Sequence, residues 1–413
     1  QKTDIANATD FIGSAEFDYK LHFFPDVRLH LNLGTEQSSG KQEYKTPTTA
    51  GTDHVYGRTG WEVINKSNNS LSLYAQYAKE FGNNNLDILG GYEWQHFYRK
   101  GESEHRGLVR VDSNNNIVTD ESFDYYNHIL PADTRWATES YLISFFGRLN
   151  YSLMNKYLFT ATVRNDASSR FAKKTRWGLF PSFAFAWKIN EEGAIKDIDQ
   201  ISDLKLRLGY GVTGQQNLLQ GDYPYIPVYT LNQDGAFYQF GNQYVNTYRP
   251  DAYNPKLKWE ETTTYNGGID FGFFKSRING SFDIYQRDTK DLINVVQIPA
   301  GTNFRNKVIS NIGNMTNKGF EFTLNARPVV KKDLSWEIGY NLTYNRNKIT
   351  KLTLGSQEGY YVPTGGLFQG SAQAHAVGFP ANSFYVYEQV YNQDKKPIEG
   401  LFVDRNGDGI INE

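Results

Sequence analysis

The chain has 413 residues, of which 39% are apolar, and a formal net charge of −2. It has no cysteine and neither a basic run nor a long acidic one, which excludes a disulfide framework, a Cys-based metal site and an electrostatic nucleic-acid surface. No run of even ten apolar residues occurs, whereas a membrane-spanning helix needs about 20.

Hydrophobic alternation with period two predicts roughly twelve long strands. In chain order they fall near 12–21, 27–34, 69–78, 86–98, 139–153, 156–165, 177–189, 203–213, 258–273, 277–290, 317–328 and 334–347. The clearest pair is YLISFFGRLNYSLMNKYLFTATVRND (141–166), two arms joined by a tight turn. Tyr141, Ile143, Phe145, Leu149, Tyr151 and Leu153 share one face of the first arm, and Ser144, Arg148, Asn150 and Ser152 share the other. Arms of this length exceed the usual globular strand of about 5–6 residues and suit a tilted strand that crosses a bilayer.

The predicted connections alternate in size. HFFPD (22–26), KEFGNNN (79–85), MNK (154–156), FKS (274–276) and VVKKD (329–333) are short, and 190–202 is of medium length with room for a helical turn. The segments 35–68, 99–138, 214–257, 291–316 and 348–383 are long and polar, and 166–176 is shorter. Short turns at one end and long loops at the other are the asymmetry of an outer-membrane barrel, with the apolar face toward lipid and the polar face toward a lumen. Aromatics at 15% supply interfacial girdles, and Trp94, Trp136, Trp177, Trp187 and Trp259 fall near predicted strand ends. A large soluble β-protein is the competing architecture. The reading is all-β: 1–347 as transmembrane antiparallel barrel strands with long extracellular loops, and 348–413 as an extracellular loop region in which Phe384–Tyr391 pairs as a strand.

One stretch, RLNYSLMNKYLFTATVRNDASSRFAKKTRWGLFPSFAFAWKINEE (148–192), resembles the barrel of SusC/RagA-type TonB-dependent transporters. SDLKLRLGYGVTGQQ (202–216), NPKLKWEETTTYNGGIDFGFFKSRINGSFDIYQRDTKDLI (254–293), NIGNMTNKGFEFTLNARPV (311–329), GFPANSFYVYEQVY (378–391) and DRNGDGIIN (404–412) continue the resemblance in order. It implies a barrel of about 22 strands with a plug in its lumen, set in the outer membrane of a Gram-negative, Bacteroidetes-type bacterium. It further implies import of glycans or peptides driven through TonB, with a SusD-like surface lipoprotein as lid. Against that pattern the chain is expected to be a barrel fragment, since no plug precedes Gln1 and the final strands do not follow Glu413. A passive or structural outer-membrane barrel (porin or adhesion scaffold) is the alternative, and a secreted β-rich glycan-binding protein is a third reading.

No G-x-S-x-G, H-E-x-x-H or phosphate-binding glycine loop is present, so the chain reads as no enzyme. The segment 404–413 matches the first part of an EF-hand-type loop, with Asp404, Asn406, Asp408, Ile410 and Asn412 at oxygen-ligand positions for calcium. A tight Asn-Gly/Asp-Gly turn without metal is the competing reading. For contact with substrate or lid, the candidates are loop aromatics: Tyr223, Tyr225, Tyr229, Tyr238, Tyr244, Tyr360, Tyr361 and Phe368.

Overall fold

The computed structural model describes residues 2–47, 58–107, 135–217, 221–231, 237–246, 248–299, 301, 303–352, 360–367, 370–404, 407 and 409. Eight strands open the chain: β1 (Thr3–Lys20), β2 (Val27–Thr46), β3 (Arg58–Phe81), β4 (Asn84–Gly107), β5 (Arg135–Leu153), β6 (Tyr157–Ser168), β7 (Trp177–Lys188) and β8 (Ile201–Gln215). An excursion then carries four short strands, β9 (Tyr229–Leu231), β10 (Phe237–Phe240), β11 (Gln243–Asn246) and β12 (Tyr248–Pro250). The long strands resume with β13 (Glu260–Phe273), β14 (Ile278–Gln297), β15 (Lys307–Val330) and β16 (Ser335–Lys351). Together the long strands make one 12-stranded sheet, an antiparallel meander in which each pairs with the next.

The apolar positions of successive strands fall in register. Phe17, Leu31, Leu73, Tyr92 and Phe145 form one cross-strand row. Phe159, Phe185, Leu208, Gly267, Ile284, Phe320 and Tyr344 form another. Large members of these rows are exposed, among them Phe145 at 51%, Leu208 at 50% and Ile284 at 54%. A continuous exposed apolar face across twelve strands far exceeds what a soluble monomer tolerates, and lipid is the solvent that satisfies it. Aromatics edge this belt on both sides. Tyr157 and Trp187 stack 6.2 Å apart near the short turns, and Trp94 meets Tyr141 at 6.4 Å toward the long-loop end.

Short turns close one end of the sheet. The Met154–Asn155 turn places both residues in the left-handed region (φ 55° and 57°), as the twist of a tight hairpin demands. The 190–202 link opens with a single 3-10 turn, Ile189–Glu191, as its length predicts.

Strands at the other end run much longer than alternation predicts. β2 continues through Thr35–Thr46 and pairs there with Arg58–Asn69 of β3, so much of the expected 35–68 loop is ladder. β4, β14 and β15 likewise extend into segments read as loop. The reason is solvent: above the membrane both faces are wet, so a strand such as TEQSSGKQEYKT carries no apolar stripe to read. Beyond the sheet, β17 (Tyr361–Leu367), β18 (Gly370–Ala376) and β19 (Ser383–Phe384) form a small sheet, and β20 (Gln389–Tyr391) pairs with β21 (Pro397–Phe402). None of these five joins the large sheet.

Candidate functional site

The face opposite the apolar belt is polar, and a barrel turns that face to its lumen. Two clusters of its charged side chains are tightly ion-paired. In the first, Arg164 on β6 donates from Nη2 to Glu93 Oε2 (2.7 Å) on β4 and Ser144 Oγ (2.7 Å) on β5, and from Nε to Asp166 Oδ1 (2.8 Å). In the second, Arg207 on β8 donates from Nε to both oxygens of Asp270 on β13 (3.0 Å each) and from Nη2 to Asp283 on β14 (2.9 Å). Lys205 Nζ adds a contact to Asp270 at 2.8 Å. Gly268 stands between Arg207 and Asp283 in the register, and a Cβ there would lie 2.2 Å from Asp283 Oδ1. The ion pair therefore passes directly over a glycine, which leaves the room for it. Nearer the turns, Asn150 donates to Asp87 Oδ1 (3.4 Å) and accepts from the Thr160 hydroxyl (2.9 Å). This wall offers alternating donors and acceptors of both signs to a polar molecule passing along it.

At the long-loop end the sheet forks. β7 and β8 pair from Lys188↔Lys205 up to Ser182↔Gly211, then part: β7 continues against β6, and β8 against β13. A small dry core of Phe171, Phe180, Leu257, Trp259 and Ile309 is packed at this fork. Phe171 and Leu257 are fully buried, and Trp259 packs against Phe171 at 5.5 Å and edge-on to Phe180 at 5.3 Å. Trp259 Nε1 donates to the Arg176 carbonyl (2.8 Å), and Thr175 Oγ1 donates to that of Leu257 (2.7 Å). Trp259 is thus a core residue of the loop end and no member of the girdle, contrary to the sequence expectation for it.

Surrounding loops are tied to this core by polar contacts. Arg170 Nε donates to Asp222 (2.7 Å), Asn254 Nδ2 to the Ile309 carbonyl (2.9 Å), Asn303 Nδ2 to that of Tyr253 (3.0 Å), and Arg305 pairs with Asp251.

The candidate aromatics are dispersed. The Tyr223 hydroxyl accepts from the Glu139 N–H (2.9 Å) and donates to the Glu139 carbonyl (3.1 Å), which ties its loop to β5. Tyr225 is half-buried in the same loop, and Tyr229 stands exposed on β9. On the β10–β11 hairpin, Tyr238 pairs with Val245 and meets Phe240 at a tilt (4.6 Å), whereas Tyr244 pairs with Gln239 on the opposite face. Tyr361 packs on Tyr385 at 4.7 Å, Tyr360 is half-buried beside it in sequence, and Phe368 lies outside the described residues.

Asp404 accepts from the Gly407 N–H at Oδ1 (2.7 Å) and the Gly409 N–H at Oδ2 (2.8 Å). This carboxylate folds the chain back on itself, as an Asx turn does and as the first residue of a calcium loop does. Asn406, Asp408, Ile410 and Asn412 lie outside the described residues.

The lumenal charge clusters escaped the sequence reading. Their signal was present: Lys205 and Arg207, then Asp270, then Asp283 occupy polar-face positions of three consecutive strands. Only the register shows that they meet.

At the short-turn end, the Tyr157 hydroxyl (2.6 Å), the Trp187 indole N–H (3.0 Å) and Lys156 Nζ (3.3 Å) all donate to the Glu192 carboxylate. These donors, Tyr157 first, hold the Glu192 carboxyl below its ordinary range.

The sequence model described as "TonB dependent receptor-like, beta-barrel" matches residues 3–395. The TonB-dependent receptor SusC of Bacteroides thetaiotaomicron is 50% identical over 99% of the chain, which spans 40% of that relative. A TonB-dependent receptor of Formosa agariphila is 32% identical over 96% of the chain, again 40% of its own length. The solved RagAB peptide transporter superposes with a TM-score of 0.76 at 24% identity, covering 95% of this chain and 41% of that one, and shows the same fold. The chain thus spans about two fifths of the relatives it matches. The twelve-strand wall, apolar outside and ion-paired inside, belongs to the TonB-dependent receptor β-barrel family of the outer membrane.

Proposed function

We propose that this wall is part of an energy-coupled importer of oligosaccharides or peptides, working with a SusD-like lipoprotein over its mouth and TonB beneath it. The observation that carries the reading is the 50% identity to SusC, sustained over 99% of the chain. The inner wall supports it: charges neutralised in place by Glu93, Asp166, Asp270 and Asp283 leave a hydrogen-bonding surface without a dominant sign, suited to uncharged or mixed-charge cargo. The Bacteroidetes-type envelope belongs to the same reading. So does calcium at the Asp404 loop, where the carboxylate already draws Gly407 and Gly409 inward.

Uptake tests it. A strain whose full-length receptor is deleted should lose growth on one class of oligosaccharide or peptide, and complementation should restore it only while TonB is functional. Equal uptake of small solutes with and without TonB would instead make the barrel a passive pore.

A further inference from the structure

Just beyond the belt, on the lipid-facing side toward the long-loop end, the adjacent strands β15 and β16 carry a cluster of cations beside β14. Gln286 on β14 lies opposite Lys318 on β15, and Lys318 lies opposite Arg346 on β16. In the next row, Asp288 lies opposite Thr316, and Thr316 opposite Lys348. Lys318, Arg346 and Lys348 are all exposed, and none of the three side chains has an ion pair or hydrogen bond among the described residues. Asp288 is the one acid in these rows. Its oxygens are taken by Gln286 Nε2 (2.7 Å) and Thr316 Oγ1 (2.8 Å). Like charges directly opposite on a ladder destabilise the pair, so Lys318 against Arg346 is unfavourable until an anion bridges them.

What lies beneath the row identifies the anion's carrier. The belt residues Ile284, Phe320 and Tyr344 come immediately below, one alternation nearer the turns. An apolar groove of about 800 Å³ runs across the same outer face between Phe183, Leu208, Tyr265 and Ile284, and Lys318 stands at its edge. A soluble anion has no use for such a groove. A membrane lipid has acyl chains to fill it and a headgroup at the level of the cations.

We propose that β14–β16 form a docking seat for a phosphorylated acyl lipid of the outer leaflet, with its phosphate between Lys318, Arg346 and Lys348 and an acyl chain in the groove. The proposal rests on the outer-membrane assignment but needs no import activity, so its test is separate from uptake.

The test uses the full-length receptor purified in neutral detergent. Phosphorylated and dephosphorylated lipid A, and inorganic phosphate alone, are titrated against its thermal unfolding and read by native mass spectrometry. The expected result is that phosphorylated lipid A binds and raises Tm, whereas the combined variant K318Q/R346Q/K348Q binds it roughly a hundredfold more weakly. A second variant, K318R, should keep binding, and an unchanged Tm without lipid shows that the combined variant is folded. Equal binding by wild type and the combined variant, equal binding of dephosphorylated lipid, or the same effect from inorganic phosphate would each overturn the proposal.

Discussion

The belt and the fork are two solutions to one problem, how to hold a β-wall together. In the belt, adjacent strands are fully laddered and the apolar side chains face outward, so cohesion comes from backbone pairing and the lipid solvent. At the fork the ladder between β7 and β8 stops at Ser182↔Gly211, and Phe180 turns inward to a core with Trp259 and Phe171. One region is stable because of what surrounds it and the other because of what it buries. The same chain therefore follows membrane rules and soluble rules within a few residues of β7.

The sharpest way to break this contrast is to empty the fork. Trp259→Ala removes the ring shared by Phe171 and Phe180 and should cost about 3–5 kcal/mol locally. The rim alone should open: limited proteolysis should cut near 169–176 and 254–259, while the folded barrel keeps its migration on unheated gels. Loss of the whole barrel would mean that the two regions are not separable. In the belt, Leu208→Arg places a charge at mid-membrane and should destabilise by about 2–4 kcal/mol in refolding into vesicles. The same change at Phe180, on the inward face, should not follow that depth rule.

Gly268→Ala probes the inner wall. A Cβ there collides with the Arg207–Asp283 bridge, and the expected loss is about 1–2 kcal/mol, measured by urea titration in vesicles. No change would mean that the bridge bends aside. The smallest effect belongs to Glu192 in its turn outside the belt. Its folded pKa lies below the unfolded value of about 4.3, so its contribution is full above that value and is lost as pH falls through the folded pKa. Glu192→Gln should therefore be less stable than wild type at neutral pH and converge with it in acid, as followed by Trp187 fluorescence.

The sequence made the belt legible because lipid and lumen impose opposite solvents on alternating residues, which leaves a period-two stripe in β5, β8 and β16. It did not make the upper strands legible, since Thr35–Thr46 and Arg58–Asn69 face water on both sides. Trp259 was misassigned for a related reason: a Trp beside a strand end reads alike whether it meets headgroups or Phe171. The lumenal bridges needed register, because Arg207, Asp270 and Asp283 are 76 residues apart at their extremes. The loop tyrosines shared only a residue type, and the β10–β11 hairpin turns Tyr238 and Tyr244 to opposite sides.

β3 and β4 each contain 24 residues. At about 3.4 Å per residue and a tilt of about 40°, such strands rise roughly 60 Å, whereas the apolar band is about 25 Å tall. At β3 and β4, more of the wall stands outside the membrane than within it. On the β3–β4 side the wall is therefore a chimney, whose hydrogen-bonded sheet begins well outside the plane of the lipids.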